Sequence, residues 1–434
     1  MIVFDLRVDD YWIMATGALC NVSCGLLGCY LVLRRMSLLG DAISHAVLPG
    51  LAAAFLLFHT RASVPMLLGA MAVGVLTAFL TSTLHRWGKV PEDASMGVVF
   101  TSLFAIGVIL ITRFASDVDL DPGCVLYGLI EFVPLDLVRV AGINIPRSTL
   151  FLGLVLLCNV VLITLFYKEL KIVSFDPYLA TTMGISATAV HYGLMAATAA
   201  TTVASFEAAG SILVVAMLIA PGATAHLLTD RLSRMLVISA VVAGLAAVFG
   251  HLLAIYYDTS VAGMMSVVVG VEFVLAVFLA PRHGYVSKLL HRASLSLRIV
   301  REDVLGMLYR WQEAETHSAL HRRDVLAALG GGVLSSVAVR SLIRAGQVRA
   351  GRGDTLSLTE GGLGAARGLV RSHRLWESYL AKHLDLPLDH LHAPAERMEH
   401  FITPRIEAQL TEEIQSPSDP HGRRIPADDT DAGA

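Results

Sequence analysis

The chain has 434 residues, 55% of them hydrophobic and only 16% charged. An average globular protein has about 25% charged residues, so this chain is too poor in charge to coat a water-facing surface of its size. The shortfall is uneven, because residues 283–434 hold 19 of the 33 Lys and Arg and 19 of the 36 Asp and Glu. The sequence therefore divides into a membrane part and a soluble part. Its net charge of −3 excludes a basic nucleic-acid coat over the whole molecule and leaves room only for a local patch. The five cysteines are an odd number without a CxxC pair and indicate neither a disulfide framework nor a zinc ribbon. The opening MIVFDLRVDDYW carries acids and no early basic segment, and reads as a start rather than a cleaved signal.

A helix needs about 20 apolar residues to cross a bilayer. Nine runs meet that need, at about 13–33, 42–58, 64–84, 94–112, 148–167, 189–205, 209–228, 236–257 and 261–281. One set of connecting loops carries Arg34 and Arg35, Arg86 and Lys89, Lys168 and Lys171, Arg231 and Arg234, whereas the other holds little beyond Arg7 and Arg61. The positive-inside rule makes the first set cytoplasmic. An odd number of spans then places the N-terminus outside and the charged C-terminal region inside. The one long outer segment, 113–147, has the apolar core DPGCVLYGLIEFVP, and both a re-entrant turn and a surface helix are open for it.

Ionisable groups inside a membrane are expensive and mark pathways or partners. Asp41 and His45 stand at i,i+4 on one helix face, where a carboxylate and an imidazole can offer two ligands to a divalent metal ion. Pro49-Gly50 follows and loosens the helix, as in the broken helices of transport sites. Glu207 reads as a solvated group at the outer end of a span, and His226, after Pro221-Gly222, as interfacial. Glu272 sits near the middle of the last span and is open to three roles: proton carrier, support for a ligand, or partner of another helix. No GxxxxGK[ST] phosphate loop occurs, so ATP hydrolysis, where it drives this chain, belongs to another subunit. The inner segment 167–186 contains Asp176-Pro177, an N-cap followed by a first-turn proline. A short helix there can dock on a motor or simply connect two spans.

From about residue 294 the pattern turns amphipathic. Helices are predicted over SLSLRIVREDVLGMLYRWQEAE, HRRDVLAALG and, after the turn Gly330 to Gly332, VLSSVAVRSLIRAG; a hairpin is predicted around Gly353-Asp354. Three helices and a hairpin make a winged helix-turn-helix, whose third helix and wing supply Arg340, Arg344, Arg349 and Arg352 as phosphate contacts or as the solvated face of a protein-interaction module. Beyond it, His373 and Glu377 share a helix face at i,i+4. His392 lies nearby in sequence, and Glu396, Glu399 and His400 are spaced to fall on one side of a second helix. Such ligands suit one divalent cation.

Four ordered motifs, RRMSLLGDAISHAVLPG (34–50), VPEDASMGVVFTSLFAIG (90–107), YKELKIVSFDPYLATTMGI (167–185) and ASFEAAGSILVVAMLIAPGATAHLLTDRL (204–232), resemble the permease subunits of bacterial ATP-binding-cassette importers for manganese, zinc and iron. The resemblance covers about 13–281. It implies that Asp41 and His45 line a metal pathway and that Phe175, Asp176, Pro177 and Gly184 belong to the helix that couples to an ATPase. It also implies three partners: that ATPase, an extracytoplasmic metal-binding protein and a second permease subunit, identical or paralogous. Residues 296–426 resemble the metal-dependent repressors of the diphtheria-toxin-repressor and manganese-regulator family. That likeness implies metal ligands at Asp303, His373, Glu396, Glu399 and His400, with His392 and Glu377 at an ancillary site. Glu396 takes a position where manganese-responsive members carry Glu, which favours manganese as the cofactor; Gly306 replaces a carboxylate ligand of that branch.

The expected fold is thus an all-α polytopic membrane protein of about nine transmembrane helices with a C-terminal winged helix-turn-helix and a helical metal-binding and dimerisation domain. The expected boundaries are 1–282 for the permease, 283–295 for a linker, 296–362 for the winged helix, 363–426 for the metal-sensing part and 427–434 for a disordered tail. The expected function is metal import, of manganese first and of zinc or iron next, by a chain that is not itself an enzyme. Two other classes are a membrane-tethered metal-dependent transcription regulator and a proton-coupled carrier using Glu272.

Overall fold

The computed structural model describes residues 7–36, 39–58, 63–114, 130–140, 142–314, 320–384 and 386–427. The side chains of His45 and Glu207, residues 115–129 and 141 of the outer segment expected to dip or lie flat, and all but the first residue of the expected disordered tail fall outside that description. The chain forms two compact units, 1–287 and 288–434.

The first unit is helical: α1 (Val8–Leu33), α2 (Leu39–Ala46), α3 (Leu48–Phe58), α4 (Ser63–Gly88), α5 (Glu92–Phe114), a small hairpin β1 (Leu137–Val140) and β2 (Ile143–Pro146), then α6 (Arg147–Leu165), α7 (Tyr167–Phe175), α8 (Pro177–Thr182), α9 (Ala187–Leu228), α10 (Leu232–Tyr257) and α11 (Val261–Leu279). Among the described residues eight helices are long and apolar enough to cross a membrane, α2 and α3 counting together over Gly40–Phe58.

Helix α1 is the hub, because small residues on it admit its neighbours. A Cβ on Gly28 would lie 1.9 Å from the Leu218 carbonyl oxygen, so only glycine lets α9 approach that closely. Polar pairs tie the helices where water is absent: Thr16 meets Thr149 at 2.6 Å, Asn159 donates to Ser23 and Thr201 at 2.7 and 2.8 Å, and Ser239 donates to the Gly25 carbonyl at 3.0 Å. Each such bond is worth about 0.6 kcal/mol on average in a membrane, so together they fix register more than they add stability.

The pairings also reveal a reversal inside α9. His191, near its start, meets Arg34; Ser205 meets Cys24; Gly222 lies against Gly28 and Cys29. A straight helix would hold Ser205 and Gly222 about 25 Å apart, whereas Cys24 and Gly28 are about 6 Å apart along α1. The chain therefore turns back between them, at Gly210, whose φ of 74° and ψ of 162° are not helical. This conformation is essentially restricted to glycine. The expected runs 189–205 and 209–228 correspond to the two arms of α9. Next, α10 runs antiparallel to α1, from Met235 beside Cys29 to His251 beside Asp10, and α11 follows it with Met265 against Asn21.

In the second unit α12 (Tyr285–Glu313), α13 (Arg322–Ala328), α14 (Val333–Arg344) and the hairpin β3 (Val348–Ala350) and β4 (Leu356–Leu358) surround one apolar cluster. Val304, Leu308, Val325, Val339, Leu342 and Val348 form its centre. The hairpin turns through Gly353 and Asp354, both at positive φ. Then come α15 (Glu360–His383), α16 (His392–Met398), a 3₁₀ turn Glu399–Phe401 and α17 (Pro404–Ile414). A second small cluster, Leu375, Leu410 and Ile425, holds the closing segment on α15 and α17.

Candidate functional site

In the membrane unit, Asp41 is half-buried in the first turn of α2, which packs against α4, α5 and α9. Pro49 withdraws the N–H that would otherwise bond the His45 carbonyl, so the helix is interrupted one turn below Asp41. Glu272 lies on α11, whose main packing partners are α9 and α10, and its Oε2 is buried with no hydrogen-bond partner among the described residues. The structure thus places Asp41 and Glu272 on two helices that both pack against α9 and otherwise have different neighbours.

The inner segment folds as its sequence predicts. Asp176 caps α8, its Oδ1 accepting from the Tyr178 and Leu179 amides at 3.0 and 2.9 Å, and Pro177 takes the first turn. The α8 segment projects apolar side chains: Tyr178 is 85% exposed, Phe175 61% and Leu179 50%. Gly184, at φ 80°, turns the chain out of α8.

In the second unit α15 holds His373 and Glu377 one turn apart, both buried, while α16 brings in His392 from the side. His373 Nε2, Glu377 Oε1 and His392 Nδ1 form a triangle with edges of 3.1, 3.0 and 3.0 Å. Edges of that length are those of one face of a coordination octahedron with bonds of about 2.1 Å. A second group, Asp303, Glu399 and His400, lies within 4.8 Å ligand to ligand. His400 Nε2 stands 3.3 Å from Asp303 Oδ1, and its Nδ1 is held at 2.8 Å by Glu302. His373 joins the groups, since its Nδ1 is 2.5 Å from Glu399 Oε2.

The fit to a cation rests on more than proximity. His373 Nδ1 is buried and, close as Glu399 is, makes no hydrogen bond of sound geometry. Charge points the same way. Burial lowers the His400 pKa, yet Asp303 and Glu302 outweigh it and push the value up to about 9. Burial likewise lowers His373, and Glu377 and Glu399 raise it overall. Glu377 is pushed up by burial but brought down to about 2 by His373 and His392. The carboxylates thus call for positive charge that imidazolium protons supply here and that a divalent cation can supply instead.

The expected convergence of Glu396, Glu399 and His400 on one helix face does not form. Helix α16 ends at Met398, and the turn Glu399–Phe401 carries Glu399 and His400 inward, both buried, while Glu396 is exposed and outside both groups. His392, expected at an ancillary site, shares its triangle with His373. Two supporting groups are absent from the sequence reading: Glu302 on His400, and Arg310, whose Nη2 is 3.4 Å from Glu399. Glu302 also pairs with Arg298 at i,i+4, which reads from sequence as an ordinary surface ion pair. Arg340, Arg344, Arg349 and Arg352 are all exposed on α14 and the hairpin, but α14 also exposes Val333, Leu334 and Val337.

Comparison with known proteins matches both units. A family model described as the ABC 3 transport family covers residues 11–280, and one described as the iron dependent repressor, metal binding and dimerisation domain, covers 359–427. The chain is 49% identical over 287 residues to the manganese transport system membrane protein MntD of Bacillus subtilis (strain 168), spanning 66% of this chain and 97% of that one. It is 38% identical over 305 residues to the zinc transport system membrane protein TroD of Treponema pallidum (strain Nichols), spanning 70% and 80%. Among solved structures, PsaBC from Streptococcus pneumoniae in complex with Fab superposes with a TM-score of 0.53 at 30% identity, covering 63% of this chain and 93% of that chain.

Proposed function

This chain belongs to the ABC 3 transport family, and from that premise we propose that it is the permease subunit of an importer for divalent metal ions, manganese first, with a metal-sensing domain fused to its C-terminus. Manganese leads because the 49% identical relative is a manganese transport protein; zinc follows from the 38% identical one. As a permease it is not an enzyme. A separate ATPase docks on the exposed α8 segment, Phe175 to Gly184, and a second permease subunit and an extracytoplasmic metal-binding protein complete the transporter.

The two arms of α9 count as two passes, giving nine in the inner membrane, with the N-terminus outside and the second unit in the cytosol. Asp41, His45 and Glu272 line the ion's path. Of the proposed sensor ligands, His373, Glu377 and His392 form one group and Asp303, Glu399 and His400 the other, while Glu396 is a peripheral member. The observation that carries the sensing half is the triangle of buried His373 and Glu377 with exposed His392, which has the dimensions of a coordination face.

A sensor fused to a permease sits where the imported ion emerges. Metal binding there closes the transporter, provided it binds the closed state more tightly. The test is initial manganese uptake by cells holding the complete transporter, comparing the full chain with one stopped after residue 290 as internal metal rises. Slowing of the full chain alone is the expected result. Equal responses from both overturn the brake and direct attention to DNA, through Arg340, Arg344, Arg349 and Arg352, or to a protein partner.

A further inference from the structure

Most of the expected linker, 283–295, is not loop, because α12 is already helical from Tyr285. One apolar stripe runs along this helix through Val286, Leu290, Ala293, Leu297, Val300, Val304 and Leu308, at steps of three and four residues. Its cover changes on the way. Val304 and Leu308 are buried in the apolar cluster of the second unit, Leu297 and Val300 are half-buried, and Val286, Leu290 and Ala293 are exposed. Tyr285 and Leu289 widen the bare end, where Tyr285 is 62%, Leu289 56% and Leu290 64% exposed.

Place is the first observation that says what covers it. Helix α11 is long and apolar enough to cross a membrane and ends at Leu279, six positions before Tyr285. The turn between them is pinned. The Tyr285 ring meets Phe278 edge to face with centroids 6.3 Å apart, the Gly284 amide donates to the Ala280 carbonyl at 3.0 Å, and Ser287 donates to the Pro281 carbonyl. Arg282 and His283 each meet Asp230 at 2.8 Å, which ties the turn to the connection between α9 and α10. The bare stripe therefore begins where α11 leaves the bilayer.

Charge is the second. No Asp or Glu occurs from 273 to 301, whereas Lys288, Arg292, Arg298 and Arg301 all fall on the first half of α12. Arg298 pairs with Glu302. Lys288 and Arg292, one turn apart and exposed, follow one edge of the stripe, and Ser287 and Ser294 follow the other. Basic side chains flanking an apolar stripe suit a helix lying in the surface of a bilayer that carries anionic lipid.

We propose that residues 285–297 of α12 form a membrane-surface helix, with the stripe in the headgroup and acyl boundary of an anionic bilayer and Lys288 and Arg292 at the lipid phosphates. The inference rests on α11 spanning a bilayer and is independent of the transported ion and of the sensor ligands.

The test uses the full chain in lipid nanodiscs, either of phosphatidylglycerol mixed with phosphatidylcholine or of phosphatidylcholine alone. A bimane fluorophore is attached at Leu289→Cys, on the stripe, or at His291→Cys, on the opposite side, after Cys124→Ser and Cys158→Ser; the other three cysteines are 0% exposed. Nitroxide on the lipid acyl chains and acrylamide in the water report what each label meets. In the phosphatidylglycerol discs the lipid nitroxide is expected to quench the Leu289→Cys label at least threefold more than the His291→Cys label, and acrylamide to do the reverse. The lipid quenching at Leu289→Cys should fall at least twofold in phosphatidylcholine alone and in the double variant Lys288→Gln, Arg292→Gln. Positions 288, 289, 291 and 292 are all exposed, so these changes remove no packing. Equal quenching of the two labels by lipid overturns the proposal. So does a Leu289→Cys label shielded from both quenchers, which means that a protein surface covers the stripe. Lipid quenching that ignores both phosphatidylglycerol and the double variant overturns the assignment of an anionic partner.

Discussion

His373 Nδ1 and Glu399 Oε2 lie 2.5 Å apart, both buried, on α15 and on the turn after α16. Through Nε2 the same imidazole faces Glu377 and His392. His373 is therefore the joint between the two candidate ligand groups, and its loss should damage both. Titration of the purified full chain with manganese is expected to show a loss of at least a hundredfold in affinity for His373→Ala. Glu302→Gln, which is not among the proposed ligands and whose carboxylate steadies His400 as well as pairing with Arg298, should lose about 10- to 100-fold. Equal affinity in wild type and His373→Ala would falsify the assignment.

Asp41 supplies a half-buried carboxylate in the first turn of α2, beside a helix interrupted by Pro49. Removing the charge without changing shape, as Asp41→Asn does, should abolish manganese uptake while leaving the amount of protein in the membrane unchanged. Glu272→Gln separates two readings of the buried carboxylate on α11. Lost uptake whether or not a proton gradient is present supports a place on the ion's path, and loss confined to the gradient-driven part of uptake points to proton coupling.

Helix α8 is only six residues long and owes its start to Asp176, which satisfies two amides. Removing such a cap costs about 1 kcal/mol, enough to fray so short a helix. Asp176→Ala is expected to weaken association of the ATPase and lower uptake several-fold, and Asp176→Ser, which can still cap, should restore most of both. Pull-down of the ATPase by each variant checks this.

Eight of the nine expected runs coincide with helices long and apolar enough to cross a membrane among the described residues, 189–205 being the exception, because lipid imposes a length and a composition on any helix that crosses it. Asp176-Pro177 and Gly353-Asp354 were legible because their backbone chemistry is local. The candidate ligand groups were legible only in part. Regular i,i+4 spacing finds His373 and Glu377, since α15 continues through both. It misplaces Glu396, because the helix ends at Met398 and a 3₁₀ turn redirects the next residues. It also misses Glu302, whose contact with His400 spans 98 positions of sequence, a distance across which periodicity carries no information.

The closing segment of the second unit should be sensitive to acid. Arg374, 2% exposed, donates to Glu313 and to the Arg424 carbonyl, and its hydrogen bond holds Glu313 below the usual carboxylate range against the opposing effect of burial. A carboxylate whose folded value is depressed stabilises the fold above its unfolded value, about 4.3, and loses that contribution as pH falls through the folded value. Limited proteolysis of the full chain is expected to cut near 416–426 below about pH 4 and not at pH 7. Glu313→Gln should be cut more readily at pH 7 and show a flatter pH response.

Gly210 carries the reversal that lets α9 meet α1 twice. Its φ of 74° and ψ of 162° suit a residue without a Cβ, and a side chain there costs about 1–3 kcal/mol. Both arms are packed: Leu213, Met217 and Leu218 on one and Leu194, Met195 and Ala199 on the other are at most 1% exposed. The strain of Gly210→Ala therefore cannot be relieved by letting one arm swing away without exposing that core. The variant is expected to lose several degrees of melting temperature in detergent, or to fail to accumulate. Gly97→Ala on α5, where an added Cβ meets nothing within 4 Å, should accumulate normally. If Gly210→Ala melts with wild type, the turn tolerates a side chain and the two arms are held together by packing alone.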